Sequence, residues 1–267
     1  MQMDWTLAVD IGGGTTKVAA VSATGAVRGL TVFPTASAGG DELVERVAAA
    51  VPERLPRAGV SVAGFVDEAR RRMVYNPNLP WLEGYPLAES LQRRLAAGVS
   101  LDADSNRACL AEYRLGAGRG ARRFLCLTLG TGAGGGMIVD GELVRLAHGG
   151  LGDIGHVIVE PGGPRCAAGC RGCLEAMMAM EPRDWPRLGR WLGIALASCA
   201  AVLFPDMIAV AGGLAEAGDK LLAPARAAVQ ETAGDFYRQG LTIVNAHFGW
   251  SAPLVGAGIA AHSEEEP

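Results

Sequence analysis

The chain has 267 residues, 49% of them apolar and 19% charged, with a formal net charge of -4 and a positive mean hydropathy. That is enough apolar material for a large core and excludes a disordered protein. No Lys/Arg cluster is interleaved with aromatics, which excludes nucleic acid as a partner, and the length fits two lobes around a cleft better than two independent domains.

Residues 1–9 carry Asp4 and have neither a basic lead-in nor a long apolar run, so they do not read as a signal peptide. Residues 6–10 and 17–21 read as strands flanking a glycine turn, and Gly25 turns the chain into a third strand. Asp41 is expected to cap a helix that runs to Ala50 and is stopped by Pro52. Residues 86–97 and 104–115 have helical spacing and end near Gly98 and Gly116, with a strand at 99–101 between them. The opening plan then recurs. Strands at 124–129 and 137–139 flank a second glycine turn, Gly130 to Gly136, and Asp140-Gly141 leads into another strand.

Residues 191–203 read as a buried helix. The most apolar stretch, 193–205, is too short to span a bilayer, so no membrane is expected as a partner and the cytoplasm is the expected location. A strand at 207–211 ends at Gly212-Gly213, followed by a helix at 218–233 and a last strand at 241–245. The acidic end, Glu264 to Glu266, reads as solvated. The expected fold class is α/β with two lobes, 1–115 and 116–250, residues 251–267 packing back on the first.

The segment Asp10-Ile-Gly-Gly-Gly-Thr-Thr-Lys17 sets Gly12, Gly13 and Gly14 beside the hydroxyls of Thr15 and Thr16 and the ammonium of Lys17. Backbone N–H groups and a cation can then converge on phosphate oxygens, with Asp10 holding Mg²⁺ through water. Taken alone, such a cluster is equally an ordinary tight turn. A second cluster, containing Thr131 and Gly132, favours phosphate. Its G-x-G-x-x-G is followed by a strand and a turn rather than a helix, so the dinucleotide-binding reading fails on context. Gly212 and Gly213, between a strand and a helix, are suited to close approach of a nucleotide to the backbone.

Of six cysteines, Cys166, Cys170 and Cys173 crowd into one loop, whereas Cys109, Cys126 and Cys199 sit singly in apolar segments and read as core thiols. With His156 the loop offers three thiolates and one imidazole, a tetrahedral set for structural Zn²⁺; the other reading is a loop of reduced thiols. His148, His247 and His262 show no partner pattern and read as structural or exposed.

Residues 10–17, 76–84, 102–112, 130–136, 149–156 and 166–175, in that order and spacing, resemble the ROK family of sugar kinases and repressors over nearly the whole chain. The resemblance implies two actin/hexokinase-like lobes, duplicated ribonuclease H-like mixed sheets with helices, around a sugar and ATP cleft. With no helix-turn-helix segment ahead of Thr6, it is to the kinase branch.

It further implies that Asp104, also placed to cap a helix, is the general base, and that Gly64, Asn78, Asp104, Asp153, His156 and Glu175 bind the sugar. Ala103 stands where the family has an Asn and Asp153 where it has a Glu. The family loop has its middle cysteine at the position of Ala168, so Cys170 substitutes in the zinc site. The segment 177–190 is shorter than in the family, and a homodimer is the family's common state. The expected activity is ATP-dependent phosphorylation of a hexose or N-acetylhexosamine hydroxyl. A modified sugar or cyclitol as substrate, and a sugar sensor without turnover, are the alternatives.

Overall fold

A computed structural model describes residues 4–36 and 38–263; the acidic end at Glu264 to Glu266 lies outside them. The chain divides into two compact units. Unit 1 comprises Met1–Ala111, Arg145–Gly150 and Ser251–Pro267, and unit 2 comprises Glu112–Val144 and Leu151–Trp250.

Unit 1 begins with an antiparallel meander of β1 (Trp5–Ile11), β2 (Thr15–Ser22) and β3 (Val27–Pro34). After α1 (Gly40–Ala50), β4 (Arg57–Val62) adds parallel to β1. A small hairpin of β5 (Phe65–Val66) and β6 (Met73–Tyr75) precedes α2 (Leu87–Leu95), and β7 (Gly98–Ala103) then adds parallel to β4. The sheet order is β3-β2-β1-β4-β7, and α3 (Asp104–Leu115) leaves directly from the end of β7.

Alternation along β1 explains how two layers form on this sheet. Leu7, Val9 and Ile11 join Leu43, Val47, Leu87 and Leu91 of α1 and α2 in one buried cluster. On the opposite face Ala8 and Ala19 meet Leu254 and Ala257 of α8 (Ala252–His262). Small residues let that helix lie close: a methyl on Gly59 would overlap the Ala257 carbonyl, and one on Gly256 the Arg107 carbonyl.

Unit 2 repeats the plan. Its meander is β8 (Arg123–Leu129), β9 (Ala133–Val139) and β10 (Glu142–Leu143). A short α4 (Leu174–Met178) and a long α5 (Trp185–Leu203) follow, and β11 (Met207–Ala211) pairs parallel with β8. Next come α6 (Asp219–Thr232), a one-turn α7 (Asp235–Arg238) and β12 (Thr242–Asn245), parallel to β11. The order β10-β9-β8-β11-β12 matches that of unit 1 strand for strand. Leu125, Leu127, Ile208 and Val210 pack with Leu188, Leu192, Leu196 and Leu221 of α5 and α6.

Three local expectations are corrected. Asp41 does not cap α1: Gly39 occupies that position without a side-chain bond, and the Asp41 carboxylate accepts the Tyr85 hydroxyl at 2.6 Å. The helix expected from Trp191 begins at Trp185, because Asp184 caps it by accepting from Arg187 N and Pro186 suits its first turn. The second glycine turn is confined to Gly130 to Gly132, while Gly134 to Gly136 lie in β9 opposite Thr128 to Cys126. There Gly135 makes room for Ile154. Among the described residues, no helix is long and apolar enough to cross a membrane.

Candidate active site

In unit 1 the sequence-predicted residues gather at the carboxyl ends of β1, β4 and β7. In open sheets with parallel strands, that is the edge at which ligands bind. Asp10 stands opposite Lys17 in the β1–β2 hairpin and beside Ser61 in β4, while Ser61 stands beside Asp102 in β7. The pairing has chemical content: Lys17 Nζ meets Asp10 Oδ2 at 2.7 Å, and Ser61 Oγ donates to Asp10 Oδ1 at 2.9 Å. Asp10 is 3% exposed, so both oxygens are taken out of water and paired. The hairpin tip is braced from outside, with Thr35 Oγ1 donating to Gly12 O at 2.7 Å and Thr35 N to Gly14 O at 3.0 Å. Gly14 and Thr15 are exposed, whereas Thr16 turns inward to the Thr35 hydroxyl at 3.0 Å.

Gly64 follows β4 with φ +101°, and a side chain there would meet Tyr75 O and Asn76. Buried Asn76 ties this turn to the neighbouring loop: its Nδ2 donates to Ala63 O at 2.8 Å and its Oδ1 accepts from Asn78 N at 2.8 Å. Asn78 itself is exposed at the loop tip. Asp104, half-buried, is the first residue of α3, and its Oδ1 accepts from Ser105 N at 2.7 Å.

In unit 2, Gly130 N donates to Gly132 O at 2.8 Å, closing the turn that carries Thr131. Glu175, at the start of α4, reaches this turn and accepts from Ala133 N at 3.1 Å. Gly212, at φ +89°, sits against the Leu129 backbone and leads into a short 3-10 helix, Gly213–Ala217. Asp153 precedes another 3-10 turn, Ile154–His156, and its Oδ2 lies 3.3 Å from His156 Nε2. Burial raises the Asp153 pKa and Glu175 adds to the rise, while His156 opposes it.

The other ring nitrogen of His156, Nδ1, is 3.6 Å from Cys166 Sγ. One donor atom each from His156, Cys166 and Cys173 lie within 4.8 Å of one another, close enough for the three to share one Zn²⁺, which favours such nitrogen and sulfur ligands. Cys170 is not in that group, although it lies near enough to Cys166 for the two thiols to act on each other; burial raises its pKa first and Cys166 second. The Asp153–His156 contact is the outer carboxylate commonly found behind a metal-binding imidazole. Burial pushes Cys173 up to about 11 in the metal-free protein.

The sheet order, the two glycine hairpins and this loop occur together in a known family. Residues 6–181 and 183–264 match the ROK family. The chain belongs to the ROK family. Among its ROK relatives, the glucokinase of Streptomyces coelicolor is 29% identical over 96% of both chains. The N-acetylmannosamine kinase of Pasteurella multocida is 32% identical over 65% of this chain and 59% of its own. A ROK glucokinase of Streptomyces griseus, solved with glucose and AMPPNP, superposes with a TM-score of 0.86 at 27% identity, covering 97% of this chain and 99% of its own. The fold is therefore the actin/hexokinase-like fold of ROK sugar kinases.

Asn76, Ser61, Asp102 and Arg145 carry geometry at this ROK site that the sequence reading had not assigned. Asn76 had a signal, since it lies two residues before Asn78 in an Asn-Pro-Asn run. Asp102 had one too, two residues before Asp104. Arg145 had none, because its partner is 43 residues away.

Proposed function

We propose that the protein transfers the γ-phosphate of ATP to a hydroxyl of a hexose, of glucose or an N-acetylhexosamine, with Asp104 as the general base. The observation that carries this reading is the shared strand edge of unit 1, where Asp10 near the end of β1, the Gly64 turn after β4 and Asp104 directly after β7 lie at the ends of neighbouring strands. The glucokinase relatives, and the glucose and AMPPNP held by the Streptomyces griseus enzyme, support a sugar and ATP as the substrates.

In the reaction the sugar hydroxyl loses its proton to Asp104, its oxygen bonds the γ-phosphorus, and the bond to the bridging oxygen breaks to release ADP. Little covalent work falls to the protein, so its part is positioning and charge. Gly12, Gly13, Gly14, Thr15 and Lys17 are assigned to the phosphates, with Thr131, Gly132, Gly212 and Gly213 on the nucleotide side, while Thr16, buried against the Thr35 hydroxyl, braces the hairpin instead. Gly64, Asn78, Asp153, His156 and Glu175 are assigned to the sugar. Asp10, buried and paired with Lys17 and Ser61, is the residue assigned to Mg²⁺ through water. Mg²⁺ would supply charge neutralisation at the phosphates.

His156, Cys166 and Cys173, completed by Cys170, are assigned to Zn²⁺. Zn²⁺ held by these residues would clamp the loop and would supply no chemistry to the transfer. We place the protein in the cytoplasm as a homodimer, on the resemblance to its family.

A second reading, a kinase for a modified sugar or cyclitol, is favoured by Ala103 and Asp153, which remove one side-chain partner and shorten another. A lost partner to a buried hydroxyl costs about 1–3 kcal/mol, enough to redirect specificity.

The test is ADP release from ATP and Mg²⁺ across glucose, mannose, fructose, glucosamine, N-acetylglucosamine and N-acetylmannosamine, with Asp104→Asn alongside. Sugar-dependent turnover lost in the variant is expected. Binding of a sugar without turnover would turn the reading to a sensor, and no response to any sugar would turn it to a modified substrate.

A further inference from the structure

Asp102 is the penultimate residue of β7 and is 1% exposed, a setting that a carboxylate tolerates only when it is fully paired. Its Oδ2 meets an Arg145 guanidinium nitrogen at 2.6 Å, and its Oδ1 accepts from Ala103 N at 2.8 Å, from Asn106 Nδ2 at 2.8 Å and from Arg145 at 3.3 Å. Two of these donors are shared, since Asn106 Nδ2 and Arg145 also donate to Gly149 O at 2.9 and 3.0 Å. One carboxylate and one carbonyl are thus bridged twice, which closes a ring through β7, α3 and the segment Arg145–Gly150.

The ring encloses the strand–helix junction that carries Asp104. Asp102 orients the peptide leading into Ala103, and Asn106 anchors the first turn of α3 on the other side, with Asp104 between them in sequence. With both oxygens out of water and bonded to protein donors, Asp102 is engaged within the ring. A buried ion pair is also a poor way to gain stability alone, and its better-attested use is to select one geometry.

We propose that Asp102 and Arg145 act as a positioning couple: the Arg145–Gly150 segment, through Arg145, holds the β7–α3 junction in the one conformation that presents Asp104 as a base. The inference rests on the kinase reading of Asp104. Arg145 and Asp102 touch neither the sugar nor ATP in this role, and they act on the rate through where Asp104 stands.

The test compares the full-length wild type with Arg145→Gln, Arg145→Lys, Asp102→Asn and the double variant Asp102→Asn/Arg145→Gln, by steady-state kinetics and by amide hydrogen exchange at residues 103–106. Arg145→Gln is expected to lower kcat roughly 10- to 100-fold, the scale of a misplacement of about 1 Å, with KM for ATP unchanged. Arg145→Lys keeps a charged donor and should restore most of that loss. The double variant should lose no more than the worse single one, because both remove the same device. Exchange at 103–106 should be faster in Arg145→Gln than in the wild type and intermediate in Arg145→Lys.

Unchanged exchange at 103–106, or a folded Arg145→Gln with wild-type kcat beside an active wild type, overturns the couple. Should Arg145→Gln fail to fold, the lysine variant decides the matter by whether its exchange exceeds that of the wild type. A wild type without sugar-dependent turnover defeats the kinase reading instead, and exchange alone then decides the couple.

Discussion

Burial by itself would raise the pKa of the Asp102 carboxyl, but the Arg107 and Arg145 guanidiniums and the Asn106 amide outweigh it and hold the group below the usual carboxylate range. A depressed folded-state pKa stabilises the fold above the unfolded value, and that contribution is lost as pH falls through the folded value. Asp102→Asn, which leaves Arg145 without its partner carboxylate, should cost about 2 kcal/mol near neutrality. This is less than the loss of a fully buried pair, because the Arg145 side chain remains 34% exposed. Urea unfolding of both proteins should show the difference shrinking below about pH 4; a pH-independent difference would mean that packing, not charge, is lost.

The cysteines divide on the same physical grounds. Cys109, Cys126 and Cys199 are buried, and desolvation pushes Cys199 up to about 11, so it stays a thiol at pH 8. Native-state alkylation read by mass spectrometry should spare these three and modify the half-buried Cys166 and Cys170 in metal-free protein. Added Zn²⁺ should protect both; protection of Cys166 alone would leave Cys170 outside the metal site.

At the scale of elements, the seat of α8 on the unit 1 sheet depends on the absence of side chains. A methyl on Gly59 would strike the Ala257 carbonyl, backbone that no rotamer change can move aside. Overpacking of this kind costs about 1–3 kcal/mol or more, so Gly59→Ala should lower the denaturation midpoint clearly. Gly98→Ala is the matched control, because its nearest neighbour would be Pro56 O at 3.9 Å, and it should stay within about 0.5 kcal/mol of wild type. In unit 2, α5 and α6 approach each other by the same device: Gly193 faces Ala225 and Ala228, and Gly189 faces Pro224. This is also why Gly189 and Gly193 lie well inside α5.

Over the whole molecule, one sheet plan is used twice, with a glycine hairpin in each antiparallel half and strand-end residues in each parallel half. The repetition matches the duplicated fold of the ROK family and sets a glycine hairpin in both units. Light scattering at micromolar concentration should give a mass near twice the 27.6 kDa chain if the family's common dimer forms; a mass of one chain would count against it.

The sequence by itself determined the two meanders, the α3 boundaries and the crowding of three thiols in one loop, because periodicity and turn chemistry are local; β4 and the parallel pairing of β4, β7, β11 and β12 came only from the structure. It also carried enough of the family's motifs to name the family and the fold. Only the tertiary structure decided that Asp10 bonds Ser61, 51 residues away, that Asp102 pairs with Arg145, and that Glu175 reaches the turn at Gly132. It likewise set the Gly134 to Gly136 run inside β9 and left Cys170 outside the trio around His156. The physical reason is the same in each case: a local pattern records which residues are apolar and where a chain can turn, whereas a polar partner is chosen by strand register and by how closely helices pack.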